Sequence, residues 1–280
     1  EQHVRCALGE LPVGEVTPLR LQRFVGDLLR RGNLVTGKGL SPNSVNGVIT
    51  VLRGSLHAAQ ALGAAANNAA ADIRRPRTTE KKVMSFSVAE QKKLEKYIRT
   101  EGKPQHFGIL LCLYSGLRIG ELLALTWQDV NWKENTIYVN KTYHDAPNLR
   151  NPAVHITPPK TASSCRVIPV PRQLMPFLRA QKKRSVSEYV VERGETGGRV
   201  SVRSYQRTFE NLQKELSIPR KNFHALRHTF ATRALECGMD VRTLSEILGH
   251  KNVAMTLNRY VHSLTEHKRS MMNKLGKNLA

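Results

Sequence analysis

NFHALRHTFATRA, residues 222–234, decides how this chain is read. Phe223, Leu226 and Phe230, with Leu235 just beyond, recur at helical spacing and call for burial. His224, Arg227 and His228 stand among them. Positions 224, 227 and 228 are related by i, i+3 and i+4, so on a helix they share a face. Burying that much potential charge is costly without a partner. Either the face is satisfied inside the protein, or it meets something anionic.

The composition favours an anion. Lys plus Arg number 44 against 22 acidic residues in 280, a net charge of +22. Residues 1–82 hold 12 of the basic and 6 of the acidic residues, net +6, which leaves +16 for residues 83–280. Both parts therefore look built to meet one polyanion, and nucleic acid is the commonest inside cells. Cys6, Cys112, Cys165 and Cys237 form no CxxC and no zinc-spaced cluster, so a reducing cytoplasm is expected and a metal site is not. The apolar run FGILLCLYSGL (107–117) is about half of what a bilayer requires.

Helix punctuation organises the first part. TPLRLQRFVGDLLRRG (17–32) has a Thr17 cap, Pro18 in the first turn and Gly32 as stop. SPNSVNGVITVLRGSLHAAQALG (41–63) repeats that grammar, with Val45, Val48, Ile49, Leu52 and Leu56 as one stripe and Arg53 off it. Asn67, Asn68 and Pro76 then break the pattern ahead of Arg74, Arg75, Arg77, Lys81 and Lys82, so residues 66–84 read as an interdomain linker lying along phosphate. Ser87 and Glu90 spell a capping box, and 107–117 a buried central helix. NTIYV (135–139), VHITP (154–158) and CRVIPV (165–170) read as strands. Helices follow at 223–236, at 241–248 capped by Asp240, and at 253–263 capped by Asn252. The fold class is mainly α with a small antiparallel β-sheet.

Several polar residues sit beside these turn signals: Arg118 after the central helix, Lys160 in the hairpin 158–165, His224 and Arg227 on one face, His250 after a helix end, and Tyr260. Each has an ordinary explanation alone. Arg118 could pair with Glu121, His250 could cap a helix, and Tyr260 could continue the stripe of Val253, Leu257, Val261 and Leu264. Together they supply the parts of a metal-free nucleophilic phosphoryl transfer. Arginines neutralise the non-bridging oxygens, a histidine takes the tyrosine proton and a lysine protonates the leaving oxygen.

GLRIGELLAL, PPKTASSCRVIPV, HALRHTFATRAL, LGH and LNRYVH occur in the order found in tyrosine recombinases of the phage-integrase type, and the chain most resembles the integrases of bacterial conjugative transposons. The resemblance implies a helical core-DNA-binding domain over residues 1–80. It implies a mixed α+β catalytic domain over 81–280, ending in a docking tail from about 264. By the same resemblance Arg118 and Arg227 clamp the scissile phosphate, Lys160 is the general acid, and His224 accepts a proton. His250 then hydrogen-bonds the phosphate, Tyr260 is the nucleophile, and Glu121 orients Arg118. Arg53, Arg74, Arg75, Arg77, Lys81 and Lys82 are expected on DNA, and His228 is expected to be structural. No cofactor is expected. The implied partners are double-stranded DNA, sister subunits in a tetramer bound in trans by the tail, and possible accessory proteins of the excisionase type. An arm-binding domain before Glu1 is also implied. A helix-turn-helix regulator is the main rival, since 231–250 has the required helix, turn and helix, but it leaves Arg118, Lys160 and Tyr260 without a task. A relaxing enzyme of the type-IB topoisomerase kind is the third reading.

Overall fold

The computed structural model describes residues 2–78, 84–145, 156–157, 165–250 and 252–260, with 269, 272, 273, 275 and 276. The side chains of Glu195, Met255, Asn258, Arg259 and Tyr260 lie outside that description. The chain divides into two compact units, Glu1–Lys81 and Lys82–Ala280.

The first unit is built on α1 (Gln2–Leu8), α2 (Pro18–Arg31) and α3 (Pro42–Ala61). Thr17 Oγ1 accepts from the Arg20 amide and Ser41 Oγ from the Ser44 amide, so the two N-termini open where the cap-then-proline pattern places them. Leu21, Phe24, Val25 and Leu28 of α2 are buried with Val45, Ile49, Leu52 and Leu56 of α3. The segment after α3 departs from the linker expected over 66–84. Ala69, Ala70 and Ile73 are buried in the same core. Asn68 Nδ2 donates to the Arg53 carbonyl, Asn46 Nδ2 to Pro76 O, and the Arg74 amide to Gln22 Oε1. Small apolar side chains let this stretch lie flat on α3, and side-chain donors serve its carbonyls. It is part of the unit.

The second unit starts with α4 (Val88–Thr100), where the reciprocal Ser87–Glu90 capping box is present, at 3.2 and 2.7 Å. Next, α5 (Phe107–Ser115) is buried almost all round, with only Tyr114 partly open. Short α6 (Ile119–Ala124) leads into β1 (Val130–Asn131), β2 (Thr136–Val139) and β3 (Thr142–Tyr143). β4 (Ile156–Thr157) and β5 (Arg166–Pro169) follow, then α7 (Met175–Arg184) and the β6–β7 pair (Glu192–Arg193, Gly198–Arg199). The strands form three small antiparallel sheets. β1–β2–β5 are joined in that order, β3 pairs with β4, and β6 pairs with β7. In β2–β5 the register sets Val139 opposite Arg166 and Ile137 opposite Ile168. Those four are buried, whereas Tyr138 and Val167 face outward.

The rest is helical: α8 (Val202–Glu215), α9 (His224–Glu236), α10 (Val241–Leu248) and α11 (Val253–Tyr260). Tyr205, Phe209 and Leu212 of α8 join Phe86, Phe223 and Leu226 in a core that wraps α5. Asp240 caps α10 through the Thr243 amide at 2.9 Å, and Asn252 Oδ1 accepts from the Ala254 amide at 2.8 Å. The apolar stripe expected on α11 is different in the structure. Val253 and Leu257 are 38% and 39% exposed, Thr256 is fully buried among the described side chains of that helix, and Val261 and Leu264 lie outside the described residues. No helix among the described residues is long and apolar enough to cross a membrane.

Candidate active site

Arg227 projects from the first turns of α9 and is 2% exposed. Its guanidinium is served by the ends of two other helices. Nη1 donates to Gly116 O at 2.8 Å, Nη2 donates to Leu248 O at 2.6 Å, and Nη2 also meets His250 Nε2 at 2.9 Å. Gly116 closes α5 in a left-handed turn, φ +66°, where an added Cβ would come within 2.6 Å of the Phe230 ring. Leu248 closes α10. Beyond it Gly249 turns at φ +63°, with Gly249 N on Glu246 O and His250 N on Ser245 O, a Schellman end. The last carbonyls of a helix lack intrahelical donors and carry partial negative charge. Two such ends compensate a buried cation with neutral oxygens, and the formal positive charge is kept.

Arg118 reaches the same carbonyl. It precedes α6, its amide donates to Glu121 Oε2 at 2.9 Å, and its Nη1 donates to Glu121 Oε1 at 2.8 Å and, at 3.4 Å, to Leu248 O. The ordinary local ion pair is therefore present, and it aims the guanidinium at the end of α10. Arg118 stays 38% exposed at its side chain, while Glu121 is 7% exposed.

Glu121 is also gripped from behind. Arg166 donates from Nη1 and Nη2 to its two carboxylate oxygens at 3.0 and 2.8 Å, and from Nε to Ile247 O at 2.6 Å. Burial alone would raise the Glu121 carboxyl, but the Arg166 hydrogen bonds and charge, with the charge of Arg118, hold it down to about 2. Arg166 thus joins β5, α6 and the end of α10, and sequence reasoning missed it. The signal was there: strand alternation puts Arg166 on the face of Ile168 and Val170, and a buried guanidinium demands a carboxylate.

His250 is half-buried, and its Nδ1 lies 2.7 Å from Thr256 Oγ1 on α11. Arginine only donates, so in the Arg227 contact Nε2 accepts and the proton sits on Nδ1. His224 is exposed at the start of α9 and meets the half-buried His228 edge-on, ring centres 4.6 Å apart. His224 and Arg118 line one cleft of about 790 Å3, with Tyr143, Asp145, Arg203 and Gln206. The backbone of Tyr260 ends α11, one turn beyond Thr256. Lys160 lies outside the described residues. The structure therefore brings Arg118, Arg227, His250 and Glu121 together around the end of α10, with His224 across the cleft.

Outside this cluster, Arg53, expected on DNA, is engaged within the first unit. Its Nε donates to Ala70 O, and its Nη2 to Ala71 O and Ile73 O, at 2.7, 2.6 and 3.2 Å. It pins the segment after α3 inside the first unit because three backbone carbonyls there need donors. Arg74, Arg75 and Arg77 are exposed, with Arg75 also touching Thr50 Oγ1 at 3.3 Å. Lys81 and Lys82 lie outside the described residues.

Comparison with known proteins identifies the family. Residues 79–267 match the phage integrase family. The chain belongs to that family. It is 30% identical over 215 residues to a tyrosine recombinase XerC-like protein of Caldanaerobacter subterraneus, covering 70% of this chain and 54% of that protein. It is 28% identical to the transposase from transposon Tn916 of Enterococcus faecalis, covering 71% and 50%. It thus spans about half the length of these relatives. The structure of the Tn1549 transposon integrase in complex with a circular intermediate DNA superposes with a TM-score of 0.78 at 25% identity, covering 98% of this chain and 91% of that one. The resemblance read from the five motifs is borne out at the level of the family.

Proposed function

We propose that this chain is a site-specific DNA recombinase that cuts and reseals strands through a 3′-phosphotyrosine, in the excision and integration of a mobile element. The observation that carries the reading is the convergence on Leu248 O of Arg118 and Arg227, with His250 against Arg227, at the foot of the helix that ends in Tyr260. Two guanidiniums meeting at one carbonyl, with an imidazole against one of them, suit the non-bridging oxygens of a phosphodiester, where charge builds as phosphorus becomes pentacoordinate. The Tyr260 oxygen attacks phosphorus and its proton passes to His224. The phosphorus–oxygen bond to the 5′ side breaks, and Lys160 supplies the proton to the departing hydroxyl. A 5′-hydroxyl from another strand reverses the steps and reseals the DNA, so the bond energy is retained and no nucleotide is consumed.

In this reading the second unit catalyses. The first unit and the exposed Arg74, Arg75 and Arg77, with Lys81 and Lys82, hold the opposite side of the duplex, and the linkage raises affinity through effective concentration. Four copies act on two duplexes at the nucleoid, with an excisionase-type protein setting direction. The tail from about 264 docks on a neighbouring copy; the exposure of Met272 and Leu275, at 65% and 48%, supports a surface outside this chain.

A suicide DNA substrate, nicked so that the short fragment bearing the released 5′-hydroxyl escapes, tests the reading. A covalent protein–DNA adduct is expected; none would leave the helix-turn-helix regulator. Joining between two specific sites is expected as well, and relaxation without joining would favour a topoisomerase. Lys160→Ala is expected to form adduct at least about 100-fold more slowly on ordinary DNA and to recover on a 5′-bridging phosphorothiolate, because sulfur leaves without a proton. Arg118→Ala gains much less from sulfur. Equal rescue of the two variants would remove Lys160 as the acid.

A further inference from the structure

We infer that Thr256 is a positioning residue that couples the helix carrying Tyr260 to the phosphate site through His250. This rests on the strand-transfer reading above and goes beyond it by assigning a residue that touches neither DNA nor the reacting atoms.

Anchorage is the first ground. Helix α11 leaves Val253 and Leu257 more than one-third exposed, and among its described side chains Thr256 is the fully buried one. A helix of eight residues has little stability of its own, so its position depends on what fixes it to the domain. Thr256 is held at 2.7 Å from His250 Nδ1, and His250 in turn is 2.9 Å from Arg227. Tyr260 is four residues on, one turn of the same helix. A shift of the imidazole when phosphate enters therefore reaches α11 directly through this contact.

Chemistry is the second ground. With Arg227 donating to Nε2, Nδ1 carries the proton and Thr256 Oγ1 accepts it. A phosphate oxygen taking the place of the guanidinium needs the reverse, a proton on Nε2, and then Nδ1 must accept. A hydroxyl serves both forms, since it donates or accepts by rotating its hydrogen while the heavy atoms stay in place. A carboxylate would favour the charged imidazole, and a methyl would support neither form. Threonine fills the buried position with its methyl and keeps the hydroxyl for His250.

The test compares Thr256→Val, which keeps the shape and loses the hydroxyl, with Thr256→Ser, which keeps the hydroxyl. On the suicide substrate at saturating protein, Thr256→Val is expected to form adduct about tenfold more slowly, the worth of one hydrogen bond, with DNA affinity unchanged. Thr256→Ser is expected to return to within about threefold of wild type. In the DNA-free protein, the imidazole nitrogen resonances of His250, assigned with a His250→Gln variant, are expected to show the Nδ1 proton in wild type and Thr256→Ser and a changed pattern in Thr256→Val. A wild-type rate in Thr256→Val overturns the proposal, as does Thr256→Ser as slow as Thr256→Val, because packing alone would then explain the site. Unchanged His250 resonances in Thr256→Val overturn it independently of activity. Failure of the wild type itself to form adduct would instead overturn the strand-transfer reading.

Discussion

Tyr260→Phe is expected to form no covalent adduct with a suicide substrate, a loss of at least about 10⁴-fold, and to keep its affinity for uncleaved DNA within about twofold of wild type. In the proposed reaction this substitution removes only the attacking oxygen and keeps an aromatic ring at position 260. The other tyrosines narrow the alternatives. Tyr205, the nearest candidate by sequence, is 1% exposed, donates its hydroxyl to Gln105 O at 2.8 Å, and has its pKa driven far up by burial. No DNA phosphate reaches it, so Tyr205→Phe keeps its cleavage rate and loses about 1 kcal/mol of stability. Tyr143 stands in the cleft beside Arg118, but burial and then its hydrogen bond to Asp145 raise its pKa, which is the wrong direction for a nucleophile. An adduct persisting in Tyr260→Phe and mapped by mass spectrometry to Tyr143 would move the chemistry there.

How far the sequence carries depends on whether the physics is local. The cap of α10, the capping box of α4 and the buried α5 are written in adjacent residues, and they stand where the pattern puts them. The shared polar face of α9 was legible because i, i+3 and i+4 geometry needs no tertiary information, and its role at an anion stays a proposal. Arg227 on that face meets carbonyls 111 and 21 residues away, which no spacing rule names. The errors share one cause. Residues 66–84 looked like a linker because Asn and Pro end helices, yet in the described part, up to 78, Ala69, Ala70 and Ile73 are buried and Arg53 of α3 donates to the carbonyls of Ala70, Ala71 and Ile73. On α11 the stripe residues Val253 and Leu257 are partly exposed and Thr256, off the stripe, is buried, while Val261 and Leu264 lie outside the described residues. Arg166 was passed over because its partner is 45 residues distant.

That partnership sets the largest effect on stability. Glu121→Ala is expected to destabilise the second unit by roughly 3–5 kcal/mol, since it strands a guanidinium that is 6% exposed and had both carboxylate oxygens. Both tryptophans, Trp127 and Trp132, lie in this unit, so urea unfolding followed by their fluorescence reports on it directly. Removing the two charges together, Glu121→Ala with Arg166→Met, should recover much of that loss, because no buried ion is then left alone. The pH dependence has a definite sign. The folded carboxyl titrates at about 2 against an ordinary 4.5, so its contribution is complete above pH 4.5 and disappears as the pH falls through about 2. That shift corresponds to about 3 kcal/mol. Glu121→Gln keeps the shape without the titration, so its stability should fall less steeply than wild type between those two pH values. Wild type and Glu121→Gln with parallel acid limbs, or Glu121→Ala within 1 kcal/mol of wild type at neutral pH, would show that Arg166 is held chiefly by Ile247 O and that the carboxylate between the two arginines is dispensable.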